Sequence, residues 1–224
     1  MGALPLSPTE QKRRVAAGYD KVSIAYRADD FDYANSGYQR ILALILLELS
    51  PADHVVELGC GCGVPVAQAL SPRCRLTGVD LSAVQLARAR ALVSAARFLR
   101  ADMATLHFRP RSLRAVVAFW SIIHVPLEDQ PRLLSRVFDW LQPGGLFLAT
   151  VGFREWVGSE PDWHGVPGAT MYWSHADRAT YLRWFEEAGF LVEHEDFVPE
   201  GDGGHTVFFA RKPAGTAPGA GHIR

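Results

Sequence analysis

Three glycines at alternate positions follow a short β-branched segment and form the most informative motif of the chain. Residues 54–63 have the sequence HVVELGCGCG, and apolar residues continue from Val64 to Leu70. The pattern predicts a strand, a tight loop and the start of a helix in immediate succession. Because glycine lacks a Cβ atom, such a loop can adopt positive φ and approach a ligand closely. The helix start offers unpaired N–H groups to a polar or anionic group, so the motif predicts a nucleotide-like cofactor.

Carboxylates follow the next two predicted strands. Asp80 closes the segment LTGVD, and Asp102 with Met103 follows a strand at 96–100. In a doubly wound sheet the ligand lies at the carboxyl ends of the strands, so these groups should lie beside the glycine loop. Asp80 could accept both hydroxyls of a ribose. Asp102 and Met103 could meet the amino edge and one ring face of an adenine.

The loop and Asp80 alone would also fit NAD. However, the dinucleotide fingerprint G-x-G-x-x-G requires glycine at position 64, where this chain has Val64, and Gly63 comes one position early. This spacing disfavours an NAD-dependent reductase, which is kept as a lesser alternative.

Histidines are the candidate proton acceptors, because imidazole titrates nearest neutral pH. His124 follows the fourth predicted strand and is the first candidate for a general base toward a hydroxyl acceptor. His164 and His175 are the next candidates, and His205 is predicted to be structural. A structural role is an alternative for each of them. A carboxylate acceptor would need no base, since proximity alone could suffice.

Strands and helices alternate along most of the chain. Helices are predicted over Thr9–Asp20 and Tyr38–Leu49, after Ser82, from Pro131, and from a capping box Ser174-x-x-Asp177 to Gly189. This alternation predicts a Rossmann-like α/β fold with a doubly wound, seven-stranded, mostly parallel sheet. The last two strands are joined only by residues 199–204, so the last strand should be antiparallel. Predicted strands cover residues 54–58, 75–79, 96–100, 115–120, 146–152, 191–197 and 206–211.

Three parts of the chain are predicted. Residues 1–50 form an N-terminal helical lid, 51–212 the main domain, and 213–224 a disordered tail rich in proline and glycine. An irregular aromatic insertion occupies 153–173 within the main domain, and a loop of this length is usually functional.

Composition excludes several classes of protein. The 224 residues are 48% hydrophobic and 21% charged with a net charge of −1, which is typical of a globular protein without a strong field. Three cysteines give no disulfide framework, and Cys60 and Cys62 lack a second ligand pair, so no metal site is expected. Neither a secretion signal nor a long apolar run is present, which predicts a cytoplasmic protein that does not bind a membrane.

Further motifs complete the series that begins with Glu57-x-Gly59-x-Gly61-x-Gly63 and continues with Asp80 and Asp102-Met103. They are FWS at 119–121 and LQPGG at 141–145. The series, spanning 54–211, resembles the successive motifs of class I S-adenosylmethionine-dependent methyltransferases. WHGVP at 163–167 is similar to a segment of the bacterial small-molecule subgroup.

The resemblance implies S-adenosylmethionine as cofactor and S-adenosylhomocysteine as product. It implies that the backbone at 59–61 meets the methionine part, Asp80 the ribose, and Asp102 and Met103 the adenine. Tyr19 and Tyr26 are candidates to close over the cofactor, and Glu57 either contacts it or organises the loop. The full predicted set is Tyr19, Tyr26, Glu57, Gly59, Cys60, Gly61, Gly63, Asp80, Leu81, Gln85, Asp102, Met103, Phe119, Trp120 and Ser121.

The acceptor is predicted to be a small molecule or a short peptide. The motifs of amino-adenine, cytosine C5 and arginine methyltransferases are missing, and the chain has no basic, aromatic-interleaved patch for nucleic acid. The sequence predicts methyl transfer to oxygen, with nitrogen and carbon as alternatives, by a monomer or homodimer. The alternative is a protein that uses the same cofactor for a non-methylating reaction or for regulation.

Overall fold

A computed structural model describes residues 6–34 and 36–214. The helices are α1 Pro8–Tyr26, α2 Gly37–Leu46, α3 Val66–Leu70, α4 Ala83–Leu92, α5 Gln130–Trp140 and α6 Arg178–Glu187. The strands are β1 His54–Leu58, β2 Arg75–Asp80, β3 Arg97–Arg100, β4 Leu113–Ala118, β5 Leu141–Gly152, β6 Trp156–Glu160, β7 Met171–His175, β8 Leu191–Glu200 and β9 Gly203–Arg211. Short 3₁₀ turns cover Ile122–His124, Leu127–Asp129 and Trp163–Gly165.

Seven of these strands form one sheet in the order β3-β2-β1-β4-β5-β9-β8. The pairs β1–β2, β1–β4, β2–β3 and β4–β5 are parallel, whereas β9 is antiparallel to both β5 and β8. The predicted doubly wound, seven-stranded sheet with an antiparallel last strand is therefore confirmed. The strand order reverses between β1 and β4, which places the ligand crevice at their carboxyl ends.

The sheet is covered on both faces, as its parallel strands require. Alternate residues of β1 face opposite layers. Val56 packs in the core that includes Phe185 of α6, and Val55 packs in the core that includes Ile41 of α2 and Leu70 of α3. All five side chains are 1% exposed or less, so both cores are dry and hold the crevice between fixed walls.

Helix α1 lies against α4 and extends six residues beyond the predicted end at Asp20. The Ser7 hydroxyl caps its start by accepting from the Glu10 backbone N–H. The Ser82 hydroxyl donates to the Asp20 carboxylate at 2.5 Å, and the Ser23 hydroxyl donates to Gln85 Oε1 at 2.8 Å. These bonds fix α1 beside the carboxyl end of β2. A separate lid over residues 1–50 stays a prediction, and residues 1–5 and 35 lie outside the described residues.

The predicted irregular insertion at 153–173 is wrong in detail, because it contains most of an antiparallel hairpin. Strand β6 pairs with β7, and Trp156 lies opposite His175. Aromatic residues lie on both faces of this hairpin, so its sequence lacks the alternation of apolar and polar residues that predicts a strand.

Two predicted boundaries also shift. The capping box at Ser174 is wrong: Ser174 lies within β7 and its hydroxyl accepts from the Leu127 backbone N–H, while Asp177 caps α6 by accepting from the Thr180 N–H. Strand β4 ends at Ala118 rather than at Trp120, since Trp120 has a φ of 48°.

Helices in the described ranges do not combine the length and apolar character needed to cross a membrane. The predicted disordered tail falls almost entirely on residues 215–224, which lie outside the described residues.

Candidate functional site

The glycine loop is tied to the end of β2. The backbone N–H groups of Gly59 and Cys60 both donate to the Val79 carbonyl, at 2.8 and 3.0 Å. Gly59, Gly61 and Gly63 have φ angles of 75°, 52° and 81°, a region that L side chains rarely adopt. The loop therefore needs glycine for its backbone conformation.

The three glycines meet different surroundings. A Cβ atom at Gly59 would lie 2.2 Å from Ser121 Cβ, so this glycine allows β1 and the segment after β4 to approach. A Cβ atom at Gly61 would point into open space, with Gln85 Nε2 the nearest atom at 3.9 Å. A Cβ atom at Gly63 would meet Val93 at 3.1 Å, so Gly63 serves helix packing and lies outside the cavities described below. Gly61 thus leaves a cradle at the loop that a ligand group can fill.

Asp80 joins the glycine loop to the start of α4. Its Oδ2 atom accepts from the Gly61 N–H and its Oδ1 atom accepts from the Ser82 N–H, both at 2.8 Å. Burial raises the pKa of Asp80, and these backbone N–H groups partly offset the effect. Each oxygen keeps a lone pair free for a further donor.

A cleft, here termed the cofactor cleft, opens between the glycine loop, the ends of β2 to β4, and α1. It contains about 660 Å³ of atom-free space, part of it open to solvent. Thirteen of the predicted residues line it, namely Tyr19, Tyr26, Gly59, Gly61, Asp80, Leu81, Gln85, Asp102, Met103, Phe119, Trp120, Ser121 and His124.

Lys12 of α1 also lines the cofactor cleft and was missed by the sequence analysis. Its Nζ atom lies 2.9 Å from Asp102 Oδ2 and 2.8 Å from Asp129 Oδ2. Burial lowers the pKa of Lys12, but the two carboxylates outweigh burial and raise it overall. Asp102 Oδ1 also accepts from the Ala104 N–H at 2.8 Å, so the carboxylate is firmly oriented.

A smaller cavity, the loop cavity, lies on the other side of the glycine loop. Glu57 and Cys60 line it together with Arg27 and Tyr38. Glu57 is 4% exposed, and its Oε2 atom has no hydrogen-bond partner among the described residues. Burial, reinforced by the charge of Asp80, raises the pKa of Glu57 well above its usual range.

Arg27 is the sole cation among the described residues that line the loop cavity. Its guanidinium donates to the Tyr38 hydroxyl at 3.0 Å and lies 3.9 Å from the Phe31 ring centroid. A cation and a buried carboxyl group beside one loop match the carboxylate and ammonium of an amino acid. The open cradle at Gly61 and the orphaned oxygen of Glu57 therefore fit the amino-acid part of S-adenosylmethionine.

His124 lies where the cofactor cleft meets a third cavity. Its Nδ1 atom lies 2.8 Å from the Tyr172 carbonyl, which can only accept, so Nδ1 carries the hydrogen. Burial lowers the pKa of His124 to about 4, and the imidazole is neutral near pH 7. Its Nε2 atom therefore accepts from the Tyr19 hydroxyl at 3.0 Å.

The third cavity, here termed the acceptor cavity, contains about 1310 Å³ of atom-free space, part of it open to solvent. Tyr19, Tyr26, Trp120 and His124 line both this cavity and the cofactor cleft, so the two are continuous.

All three predicted catalytic histidines reach the acceptor cavity. His164 is exposed at the rim with a φ of 54°, whereas His175 is 9% exposed and burial lowers its pKa. The cavity also includes His205, whose Nε2 atom lies 3.1 Å from Glu200 Oε2.

The thiols near the site are buried. Burial raises the pKa of Cys60 and of Cys62, so neither is a ready nucleophile. Across residues 6–34 and 36–214, no cluster of three histidine, cysteine or carboxylate side chains is arranged to hold a metal ion.

The spacing of four residues along α1 could have predicted that this helix lines the cofactor cleft. Lys12, Val15, Tyr19 and Tyr26 follow at intervals of three, four and seven residues, and all line the cofactor cleft. Because this helix was predicted to end at Asp20, Tyr26 was separated from the other three residues. The contact between Glu200 and His205 could not be predicted from the local sequence, because it depends on the register of the β8–β9 pair.

Comparison with known proteins connects this geometry to a family. The model of a methyltransferase domain matches residues 55–145, which run from β1 through the glycine loop into β5. The chain is 30% identical over 133 residues to carboxy-S-adenosyl-L-methionine synthase of Aeromonas hydrophila, covering 53% of this chain and 52% of that protein. It is 35% identical over 106 residues to trans-aconitate 2-methyltransferase of Paracidovorax citrulli, covering 46% and 40% of the two chains. The chain thus spans about half the length or less of these relatives.

Solved structures share the fold over nearly the whole chain. The 1,6-didemethyltoxoflavin-N1-methyltransferase of Burkholderia thailandensis, solved with 1,6-didemethyltoxoflavin and S-adenosylhomocysteine, superposes with a TM-score of 0.67 at 20% identity. The match covers 95% of this chain and 93% of that one. The match at 55–145 identifies a methyltransferase domain in this chain, whose cleft fits S-adenosylmethionine as cofactor, and the fold is that of the class I S-adenosylmethionine-dependent methyltransferases.

Proposed function

We propose that this protein transfers the methyl group of S-adenosylmethionine to a hydroxyl oxygen of a small molecule. The single observation that carries the proposal is the neutral His124 whose Nε2 atom accepts from Tyr19 at 3.0 Å, at the junction of the cofactor cleft and the acceptor cavity. A neutral imidazole wired to a hydroxyl at this junction is suited to receive a proton from an acceptor.

The cofactor residues have distinct proposed roles. Asp80 accepts from the ribose hydroxyls, Asp102 and Met103 contact the adenine, and the backbone at Gly61 lies along the methionine part. Arg27 pairs with the methionine carboxylate and Glu57 with its ammonium group. Lys12, fixed between Asp102 and Asp129, holds α1 over the adenine end of the cleft.

When bound, S-adenosylmethionine would supply an electrophilic methyl group to the acceptor oxygen and would leave as S-adenosylhomocysteine, with the carbon–sulfur electron pair on sulfur. The acceptor hydroxyl donates its proton to the Tyr19 oxygen as the Tyr19 proton passes to His124 Nε2. Burial raises the pKa of Tyr19 well above its usual range, which disfavours a free tyrosinate and favours concerted movement of the two protons. The Tyr172 carbonyl orients the imidazole throughout.

His164 and His175 remain candidates for the proton acceptor. His164 is exposed, and His175 Nδ1 lies 3.4 Å from the Ala176 carbonyl. Neither contact resembles the hydrogen bond between Tyr19 and His124. Four further points remain predictions. They are a small-molecule or short-peptide acceptor, the absence of a nucleic-acid partner, a monomer or homodimer, and a cytoplasmic location.

One relative supports a second function. The A. hydrophila protein is named a synthase of carboxy-S-adenosyl-L-methionine rather than a methyltransferase. A non-methylating reaction on the same cofactor is therefore the alternative.

Incubation with S-adenosylmethionine carrying a deuterated methyl group, in the presence of a panel of hydroxyl and carboxyl compounds, separates these functions. Mass spectrometry should find the label on an acceptor together with an equal amount of S-adenosylhomocysteine, and Tyr19→Phe should reduce both. Consumption of the cofactor with the label retained on sulfur would support the alternative and contradict methyl transfer.

A further inference from the structure

The acceptor cavity is walled on one side by tryptophans from the β6–β7 segment. The Trp163 ring lies 5.4 Å from the Tyr19 ring and 5.5 Å from the Trp173 ring. Trp156 follows at 5.1 Å from Trp173. Trp173 also lies 5.7 Å from His124, so this wall begins at the proposed reacting pair.

Further rings continue the wall. His175 lies 6.2 Å from Trp156 and 6.5 Å from His205, and His205 lies 6.1 Å from Trp120. We term the series from Tyr19 through the three tryptophans and two histidines to Trp120 the aromatic belt. Each contact within the aromatic belt is edge-to-face or tilted by at least 44°, so no two neighbouring rings of the belt stack face to face.

The charges around the cavity are unsuited to an anionic acceptor. Arg154 is the sole lysine or arginine among the described lining residues, and it is exposed. Two carboxylates, Glu160 and Glu200, also line the cavity and are likewise exposed, so negative side chains outnumber the one cation there. Burial lowers the pKa of His124 and of His175, so these histidines add no positive charge near pH 7.

Glu200 adds a second polar group to the wall, separate from Tyr19 and His124. The hydrogen bond from His205 lowers the pKa of Glu200, so the carboxylate is ionised and oriented. Trp120 also donates a side-chain hydrogen bond to Glu200, and the remaining lone pairs of the carboxylate can accept from a ligand donor.

We propose that the acceptor is a planar aromatic compound with two hydrogen-bond donors, one a hydroxyl that meets Tyr19–His124 and the other a group that donates to Glu200. Aromatic faces and edges of the belt hold the ring system, since paired rings interact beyond the area that they bury. The single exposed cation disfavours a polycarboxylate. This inference rests on the proposed function and specifies the substrate class of the same site.

Four probes test the proposal on the full chain saturated with S-adenosylhomocysteine. They are 2,7-dihydroxynaphthalene, 2-naphthol, the saturated decahydronaphthalene-2,7-diol and trans-aconitate. Quenching of tryptophan fluorescence and calorimetry measure binding. The planar diol should bind more tightly than 2-naphthol by roughly ten-fold or more, because 2-naphthol lacks the donor to a charged group. The saturated diol and trans-aconitate should bind much more weakly than the planar diol.

Variants assign the contacts. Glu200→Gln should remove the preference for the diol while leaving the affinity for 2-naphthol unchanged. Trp173→Leu should weaken both aromatic probes by roughly three- to ten-fold. Trp184→Leu is the matched control, since Trp184 lies on α6 against Tyr181 and does not line the cavity. Circular dichroism and thermal melting establish that each variant is folded.

Equal binding of trans-aconitate or the saturated diol would overturn the proposal, as would equal effects of the Trp173 and Trp184 substitutions. Titration with S-adenosylhomocysteine alone distinguishes this failure from that of the proposed function. If the protein binds S-adenosylhomocysteine but not the aromatic probes, the substrate class is wrong and the cofactor site stands. If it binds neither, the proposed function is wrong as well.

Discussion

The hydroxyl of Tyr19 donates to His124 Nε2 at 3.0 Å and so links α1 to the 3₁₀ turn after β4, across 105 positions of sequence. The two rings meet edge-to-face at 5.4 Å, and the Tyr172 carbonyl fixes the other imidazole nitrogen. The pair joins the two cavities in which the cofactor and the acceptor are proposed to bind.

Removing either polar group of this pair should impair methyl transfer far more than cofactor binding, because both side chains border the cofactor cleft but the polar contacts to the cofactor are proposed for other residues. We expect Tyr19→Phe and His124→Gln each to lower the transfer rate by roughly 10²- to 10⁴-fold, the usual contribution of a general base. The labelled-methyl assay measures the rate, and calorimetry with S-adenosylhomocysteine measures the affinity. His194→Gln, on the exposed part of β8, is the control. A parallel loss of rate and affinity would instead identify a structural pair.

The low pKa of His124 makes stability depend on pH. Its folded pKa of about 4 lies below the ordinary value of 6.5, so the unfolded chain binds a proton more readily between these values. The stabilising contribution of neutral His124 is complete above pH 6.5 and is lost as the pH falls toward 4. Urea unfolding should show that the wild type loses about 3 kcal/mol more than His124→Gln over this interval. Equal losses in the two proteins would show that His124 does not titrate in this way.

The Asp80 carboxylate should be needed for cofactor affinity. Asp80→Asn replaces one charge-assisted acceptor, and we expect the affinity for S-adenosylhomocysteine to fall by roughly ten- to 100-fold, or about 1–3 kcal/mol. Asp53→Asn is a matched control, because Asp53 also accepts from a backbone N–H, that of Ser50 at 2.7 Å, but in the surface turn before β1. Calorimetry in which both variants keep the wild-type affinity would refute the role of Asp80.

Arg27 should contact the amino-acid part of the cofactor and not its adenosine part. We expect Arg27→Met to weaken S-adenosylhomocysteine by roughly ten-fold or more, since it removes a charged hydrogen-bond donor. The same variant should bind 5′-methylthioadenosine, which lacks the amino-acid part, as well as the wild type does. Arg40→Met, which breaks an exposed ion pair with Asp196, is the control. If both ligands weaken equally, Arg27 holds the loop cavity together rather than the ligand.

The central sheet was predictable because local signals set it. β1 matched its predicted bounds, 54–58, since a β-branched run is followed by glycines that adopt positive φ and so end the strand. Ser82 capped α4 as expected, and its hydroxyl accepts from the Gln85 N–H at 3.0 Å. The antiparallel last strand followed from a connection too short for a crossover.

The acceptor side was less predictable because tertiary contacts build it. The β6–β7 hairpin has aromatic residues on both faces, which hid its alternation, and Trp156 and Trp173 meet only through that pairing. Glu200 and His205 meet through the β8–β9 hairpin. His124 was predicted from its position after β4. Its hydrogen bond to Tyr19 depends on where α1 lies, and the sequence pattern predicted that helix only as far as Asp20.

The most direct test of the whole account is a calorimetric titration of the wild type, Gly61→Ala and Gly144→Ala with S-adenosylhomocysteine. Both glycines have positive φ, 52° and 78°, and an added Cβ atom would clash with no protein atom at either, so the backbone strain is alike. Gly61 alone of the two borders the cofactor cleft. The account predicts saturable binding at one site per chain in the wild type and Gly144→Ala, and a loss of roughly ten-fold or more in Gly61→Ala, because the methyl group fills the cradle. No binding by the wild type, or equal binding by all three proteins, would contradict it.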